Sequence, residues 1–230
     1  MTTLTGSQTQ QALAQLLDER YSCRGYLPDL VPQDTLNRLF ELAQRTASWC
    51  NTQPWQVTVT SGEATSRFAA ALSDYTASHP PRSDFEIPAK YAGVYDERRK
   101  ESGFALYESL GIAREDRAAR AEQAGRNFSF FGAPHVAVIT TDRDQGVYGA
   151  VDCGGYVGNL MLAARSLGLA SVAQAAIAMY SDGVREHLGL TEDRMTVCAV
   201  SFGYEDPSHP ANAFRTTRAP VEVAVDFRTR

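Results

Sequence analysis

A single domain of mixed helices and strands is predicted, on three observations. Helical apolar spacing recurs at Leu13, Leu16 and Leu17 and again at Leu36, Leu39, Phe40 and Ala43. Alternating or short apolar runs at Gln56 to Thr60, His135 to Thr140 and Met195 to Gly203 read as strands. A chain of 230 residues is long enough to bury one sizeable core, and no linker-like stretch divides it.

The first helix delivers a polar turn, Arg20-Tyr21-Ser22-Cys23-Arg24, after which Gly25 and Pro28 break the pattern. Pro32 suits the first turn of a second helix, which ends in a polar corner around Trp49, Asn51 and Trp55. Val57 and Val59 alternate with Gln56, Thr58 and Thr60, so a strand leaves that corner. A short helix is expected from Thr65 to Leu72, until His79-Pro80-Pro81 interrupts the chain. The stretch of about 80–126 reads as a helical excursion rich in Arg, Glu, Tyr and Ala, either a solvated helical pair or a cover for a pocket.

His135 to Thr140 is short and apolar enough for a buried strand, and the longest helix follows from about Val147 to Leu167. Gly154, Gly155 and Gly158 each cost that helix about 1 kcal/mol relative to alanine, so close approach of another helix backbone is expected there. Gly168 releases an extended run through Ala176 and Ile177, a short helix covers Asp182 to Leu188, and Met195 to Gly203 forms a buried strand. Val221, Val223 and Val225 alternate with Glu222, Ala224 and Asp226, giving a last strand whose partner must already exist, or belong to another chain.

The formal net charge of -5 and the pI near 5.4 argue against a nucleic-acid binder. The four cysteines are scattered, without C-x-x-C or a neighbouring histidine at ligand spacing, so they are expected to be reduced and no metal site is expected. The first residues lack a secretory pattern, and no apolar run approaches the ~20 residues of a membrane span. The expectation is a soluble, cytoplasmic protein with no membrane partner.

Arg20, Ser22 and Arg24 alternate in an extended turn and can point the same way, as a receptor for phosphate or an anionic ring. Taken singly, each also fits a helix-capping or surface role. Arg215 and Arg218 form a second small basic cluster, and two such clusters around one anion would make a phosphate site. Ser48, Asn51 and Gln53, beside Pro54 and two tryptophans, suit a flat heterocycle, since amides serve its edges and aromatic rings its face. By chemistry alone, a surface turn with anchoring tryptophans accounts for this corner equally well. No G-x-S-x-G elbow, paired carboxylates or histidine with a partner presents itself, so no catalytic side chain is assigned and a cofactor would carry the chemistry.

These pieces together resemble the FMN-dependent nitroreductase family from about Leu16 to Phe227. The resembling stretches are residues 20–26, 47–55, 131–134, Gly168 to Ala176, and Asn212 to Arg218. The resemblance implies an α+β, nitroreductase-like three-layer fold: a central mixed sheet with helices on both faces, in an interleaved homodimer with C-terminal strand exchange. It implies FMN held at the subunit interface, with Arg20, Ser22 and Arg24 on its phosphate, ribityl chain and pyrimidine edge. Ser48 and Asn51 would reach the partner's flavin, with Ala47, Trp49 and Gln53 in the same wall. Ala175 and Ala176, after Gln174, would offer N–H groups to the ring, and Arg215 and Arg218 would complete the phosphate cradle. Asn127 is a further flavin contact by the same argument. Many relatives carry a basic residue at the position of Tyr21, where a backbone contact to the cofactor is expected instead. Tyr95, Phe104 and Tyr107 are expected near the substrate.

The activity implied is a ping-pong transfer of hydride from NAD(P)H to nitroaromatic, quinone or similar planar acceptors. Arg24 would stabilise the negative charge that reduction brings to the ring edge. A flavin oxidase or dehydrogenase acting on azolines or cyclic dipeptides, and a non-catalytic flavin-binding protein, are the alternatives on the same scaffold.

Overall fold

The computed structural model describes residues 5–229. In chain order the helices are α1 (Gly6–Glu19), α2 (Gln33–Ala43), α3 (Glu63–Ser78), α4 (Val94–Ser109), α5 (Arg117–Gly125), α6 (Gly146–Ser166), α7 (Ala175–Ala178) and α8 (Ser181–Leu188). The strands are β1 (Trp55–Ser61), β2 (His135–Asp142), β3 (Ala170–Gln174) and β4 (Arg194–Gly203). They form one sheet in the order β1-β2-β4-β3.

β2 sits inside the sheet because its side chains can be covered on both faces. Ala137 and Ile139 turn toward α2 and α6, where they meet Leu36, Leu39, Tyr156 and Leu160, together with Val200 and Phe202 of β4. Val136 and Val138 turn the other way, onto Phe68 and Leu72 of α3, Phe130, Ile177 and Val184. Each large apolar side chain so buried contributes about 1.5–3 kcal/mol. The result is three layers with helices on both faces of the sheet.

Two expectations about the strands are corrected. The sheet is antiparallel at every strand pairing, not mixed. Apolar alternation sets which face a strand buries, while its direction follows from where each helical connection returns the chain. Parallel contact occurs in isolated bridges such as Ser22 with Ser171. The extended run after Gly168 ends at Gln174, and Ala175 already begins a helical turn. Within its own chain the described tail pairs with no strand: Val221–Val223 is a single 3-10 turn, and Val221, Val223, Val225 and Phe227 are exposed. A strand needs an edge to pair with, and the tail meets none in its own chain.

Among the helices, α3 runs past the expected Leu72 to Ser78, stopping only where His79 precedes Pro80. α1 starts from a capping box in which the Thr5 hydroxyl accepts from the Gln8 N–H and the Gln8 amide accepts from the Thr5 N–H. None of its residues is buried; Arg165 of α6 holds its end through Glu19 at 2.9 and 3.0 Å. α6 occupies the expected place, but among the described residues of this chain no helix approaches Gly154 or Gly158, and Gly155 faces only the Thr46 methyl, at 3.5 Å from a built Cβ. A Cβ at Gly154 or Gly158 would meet nothing within 4 Å, and Val147, Tyr148 and Val151 continue this exposed face.

The excursion enters through Asp84, whose carboxylate is 6% exposed, accepts from both the Thr196 N–H and Arg185 Nη1, and so ties the segment to β4 and α8. It then forms α4 and α5. No described helix is long and apolar enough to cross a membrane.

Candidate functional site

The turn after α1 is stitched to the edge of β3. Cys23 is buried and its N–H donates to the Ser171 carbonyl at 3.1 Å. Burial pushes its thiol pKa up, so the sulfur is an inert anchor. Its neighbours in the turn are thereby turned toward a cavity of about 380 Å³, lined by Arg20, Tyr21, Ser22 and Arg24 together with Arg215 and Arg218 from the tail. The two basic clusters at opposite ends of the sequence thus meet.

Asn212 makes them one unit. Its Oδ1 accepts from the Arg24 N–H at 2.8 Å, and its Nδ2 donates to the carbonyls of Gly25 at 2.8 Å and Asp206 at 2.9 Å. Its own carbonyl accepts from Arg215 Nη1 at 2.8 Å. Gly25 is required beneath this clamp, since a Cβ there would lie 2.2 Å from Cγ of His209. Tyr21 adds a second link: its ring lies 3.7 Å from the Arg215 guanidinium, and its hydroxyl donates to Glu205 at 2.5 Å. The phenol is held protonated, mainly by burial and then by Glu205. Tyr21 therefore orients Arg215, a task distinct from the backbone contact expected of it.

None of the four guanidiniums is in an ion pair among the described residues, and Asp18 is the one carboxylate lining the cavity. The Arg24 guanidinium donates, among the described residues, only to the Ser22 carbonyl, at 3.1 Å, and lies 5.8 and 6.0 Å from the rings of Phe131 and Phe214. Burial pulls its pKa down, a cost that an anion in the cavity would relieve. Four cations lining one cavity without ion-pair partners fit an anionic ligand such as FMN, with Arg20, Arg215 and Arg218 suited to its phosphate and Arg24 to its ring edge.

The polar corner is built separately. Cys50, Asn51 and Gln53 all have positive φ, of 50°, 56° and 48°, each a strain of about 1–3 kcal/mol for residues other than glycine. The bend is held from within: the Gln53 N–H donates to Ser48 Oγ at 2.9 Å, and Gln53 Oε1 accepts from Gln44, which in turn accepts from Trp55 Nε1. Ser48 and Gln53 are thus partly committed to shaping the corner. Asn51 makes no side-chain bond among the described residues. Ala47 is exposed, and Trp49 is 64% exposed, edge-on to Tyr148.

Corner and cavity do not meet within one chain. The Trp49 N–H bonds Asp152 on α6, whereas the end of α1 bonds Arg165 on the same helix. At 1.5 Å of rise per residue these attachments stand about 20 Å apart along the axis.

Gln174 and Asn127 are brought together: Gln174 Nε2 donates to the Asn127 carbonyl at 2.9 Å and to its Oδ1 at 3.2 Å, and Gln174 Oε1 accepts from Ser201. The pair braces the first turn of α7, where the N–H groups of Ala175 and Ala176 lack intrahelical acceptors. Tyr95 is exposed at the start of α4. Phe104 and Tyr107 face the α4–α5 turn, where Arg114 lies 4.3 Å from the Phe104 ring and Arg120 lies 5.3 Å from that of Tyr107. These three do not line the arginine cavity.

Sequence reasoning missed Ser102 and Phe214, which do line it. Phe214 precedes Arg215 and was within reach of the sequence signal. Ser102 carries none, being a small polar residue inside a charged helix. No group of three metal-ligating side chains occurs among the described residues.

A three-layer α+β fold with a basic cradle and a separate amide-bearing wall defines a flavoprotein-like architecture. The nitroreductase family profile matches residues 17–204. The nitroreductase NfnB of Mycolicibacterium smegmatis is 38% identical over 94% of this chain and 93% of its own length. A 4-nitrobenzoate reductase of Nocardioides sp. is 34% identical over 94% of this chain and 90% of its own. The solved structure of the FMN-dependent nitroreductase NfnB from Mycobacterium smegmatis, in complex with NADPH, superposes with a TM-score of 0.91 over 96% of this chain and 99% of that one. The chain belongs to the nitroreductase family.

Proposed function

We propose that this chain is an FMN-dependent oxidoreductase that uses NAD(P)H to reduce nitroaromatic, quinone or similar planar acceptors, and that it works as a homodimer. The carrying observation is the cavity in which Arg20, Arg24, Arg215 and Arg218 converge without counter-ions. Bound FMN would supply a reversible two-electron hydride carrier. The chain's own residues bind and orient it. Arg20, Arg215 and Arg218 would hold the phosphate, Ser22 the ribityl chain, and Arg24 would serve the pyrimidine edge, where a fixed cation favours negative charge. The N–H groups of Ala175 and Ala176, braced by Gln174 and Asn127, would be offered to the ring.

Ser48, Asn51 and the exposed Ala47 and Trp49 form a wall for the flavin of the partner subunit. The separation of corner and cavity along α6 supports this, because a two-fold copy supplies what one chain lacks. The open face of α6 at Val147, Val151, Gly154 and Gly158 and the unpaired tail support the same dimer, with the tail strand exchanged onto the partner's sheet. The chain is read as one domain over 1–230, of which 1–4 and 230 lie outside the described residues, with the 80–126 excursion bordering the site and Tyr95, Phe104 and Tyr107 contributing to substrate contact. Four free cysteines fit a reducing, cytoplasmic setting.

The test is the visible spectrum of the purified protein followed by anaerobic NADPH. Flavin absorbance that bleaches with NADPH and returns with a nitroaromatic is expected. Flavin that does not bleach would sink the reductase reading and leave that of an oxidase. Turnover no faster than free FMN with NADPH would leave a carrier of flavin.

A further inference from the structure

A second cavity, of about 630 Å³, lies beside the first between α4 and the tail. The two share Ser102, Arg215, Thr216 and Arg218, so the second begins where the phosphate cradle ends. Its far side carries Arg98 from α4 and the small apolar Ala105, Ala219 and Ala224.

Arg98 opens a run of three cations, and its two neighbours are engaged. Arg99 and Lys100 both pair with Asp96, at 2.9 and 2.7 Å, and the Arg99 guanidinium lies 5.7 Å from the Tyr91 ring. Arg98 has no ion pair or side-chain hydrogen bond among the described residues and is exposed on the cavity wall. Glu101, the one carboxylate lining this cavity, accepts from Thr217 Oγ1 at 3.0 Å and forms no ion pair with Arg98. The second cavity therefore pairs a free guanidinium with apolar surface, beyond a site whose cations serve the flavin.

Resting on the flavin reading above, we propose that Arg98 binds the 2′-phosphate of NADPH and makes this chain prefer NADPH to NADH. Only the nicotinamide end of the hydride donor reacts, so its adenosine end needs a place outside the flavin cavity. NADPH differs from NADH by one phosphate on that adenosine. A guanidinium fork matches a phosphate bidentately, whereas an isolated free cation offers the unphosphorylated ribose little. Ala105 and Ala219 supply an apolar surface for a purine.

The experiment compares wild type, Arg98→Gln and Arg98→Lys after the FMN content of each has been measured. The NADPH-to-NADH ratio of kcat/KM is expected to fall about tenfold or more in Arg98→Gln, chiefly through KM for NADPH, with Arg98→Lys intermediate. Calorimetric titration with 2′,5′-ADP and with 5′-AMP reads the same contact without turnover, and the preference for 2′,5′-ADP is expected to shrink in parallel. A ratio unchanged in Arg98→Gln, a wild type without preference for NADPH, or equal losses for both titrants would overturn the assignment. Absence of FMN from all three proteins would instead count against the flavin reading, while the titrations would still decide Arg98.

Discussion

Replacing Asn212 with alanine tests whether the two ends of the chain form one phosphate cradle. The side chain is 6% exposed and makes three hydrogen bonds, to the Arg24 N–H and to the carbonyls of Gly25 and Asp206. At about 1 kcal/mol net for each bond, the loss is about 3 kcal/mol, and more if the stranded backbone groups stay dry. For a domain of this size each kcal/mol lowers Tm by about 2–4 °C, so a drop of roughly 6–12 °C is expected. The same change frees the Arg24 turn from the segment that carries Arg215, whose guanidinium hydrogen-bonds the Asn212 carbonyl. Apoprotein titrated with FMN and with riboflavin, followed by flavin fluorescence, separates the two effects. Affinity for FMN should fall more than affinity for riboflavin, because only FMN presents a phosphate to Arg20, Arg215 and Arg218. Equal losses for the two flavins, or a Tm within about 2 °C of wild type, would refute the clamp.

His135 gives the chain a pH dependence. It is 1% exposed, its Nε2 accepts from the Val31 N–H at 2.9 Å, and its Nδ1 faces Ser61 Oγ at 2.9 Å. Burial holds its pKa below the unfolded value of about 6.5. The unfolded chain then binds the proton more readily, so stability is fully present above about pH 6.5 and is lost as pH falls through the folded value. Urea midpoints at about pH 7.5 and 5 should show this decline in wild type and a smaller one in His135→Gln; equal declines would remove His135 as the cause. Gly158→Leu addresses the dimer: a Cβ there would meet nothing within 4 Å among the described residues, so the isolated fold should tolerate it while the α6 face is obstructed. Size-exclusion chromatography should report monomer, and an intact dimer would mean that this face is not the interface.

Local sequence determined a good deal of this protein. Periodicities of 3.6 and 2 placed α2, α6, β1, β2 and β4, because those patterns state which face of an element must be buried. Alternation in the Arg20–Arg24 turn predicted a shared direction for Arg20, Ser22 and Arg24; all three line one cavity, but Tyr21 between them lines it too, so alternation alone does not account for the grouping. The Ser48–Trp55 corner was recognisable from its residue types, although the positive φ angles of Cys50 and Gln53 were not, since neither residue type favours them.

Tertiary structure alone decided how those pieces combine. It made the sheet antiparallel, because strand direction depends on the path of the connections and not on the strand's own residues. It left the tail without a strand pairing in its own chain, because alternation supplies a face but not an edge. It joined Arg24 to Arg215 through Asn212, and left Arg98 free while Arg99 and Lys100 paired. The sequence could name the charged and polar groups of the site; which stay unpaired, and so remain available to a ligand, is fixed only when distant segments pack together.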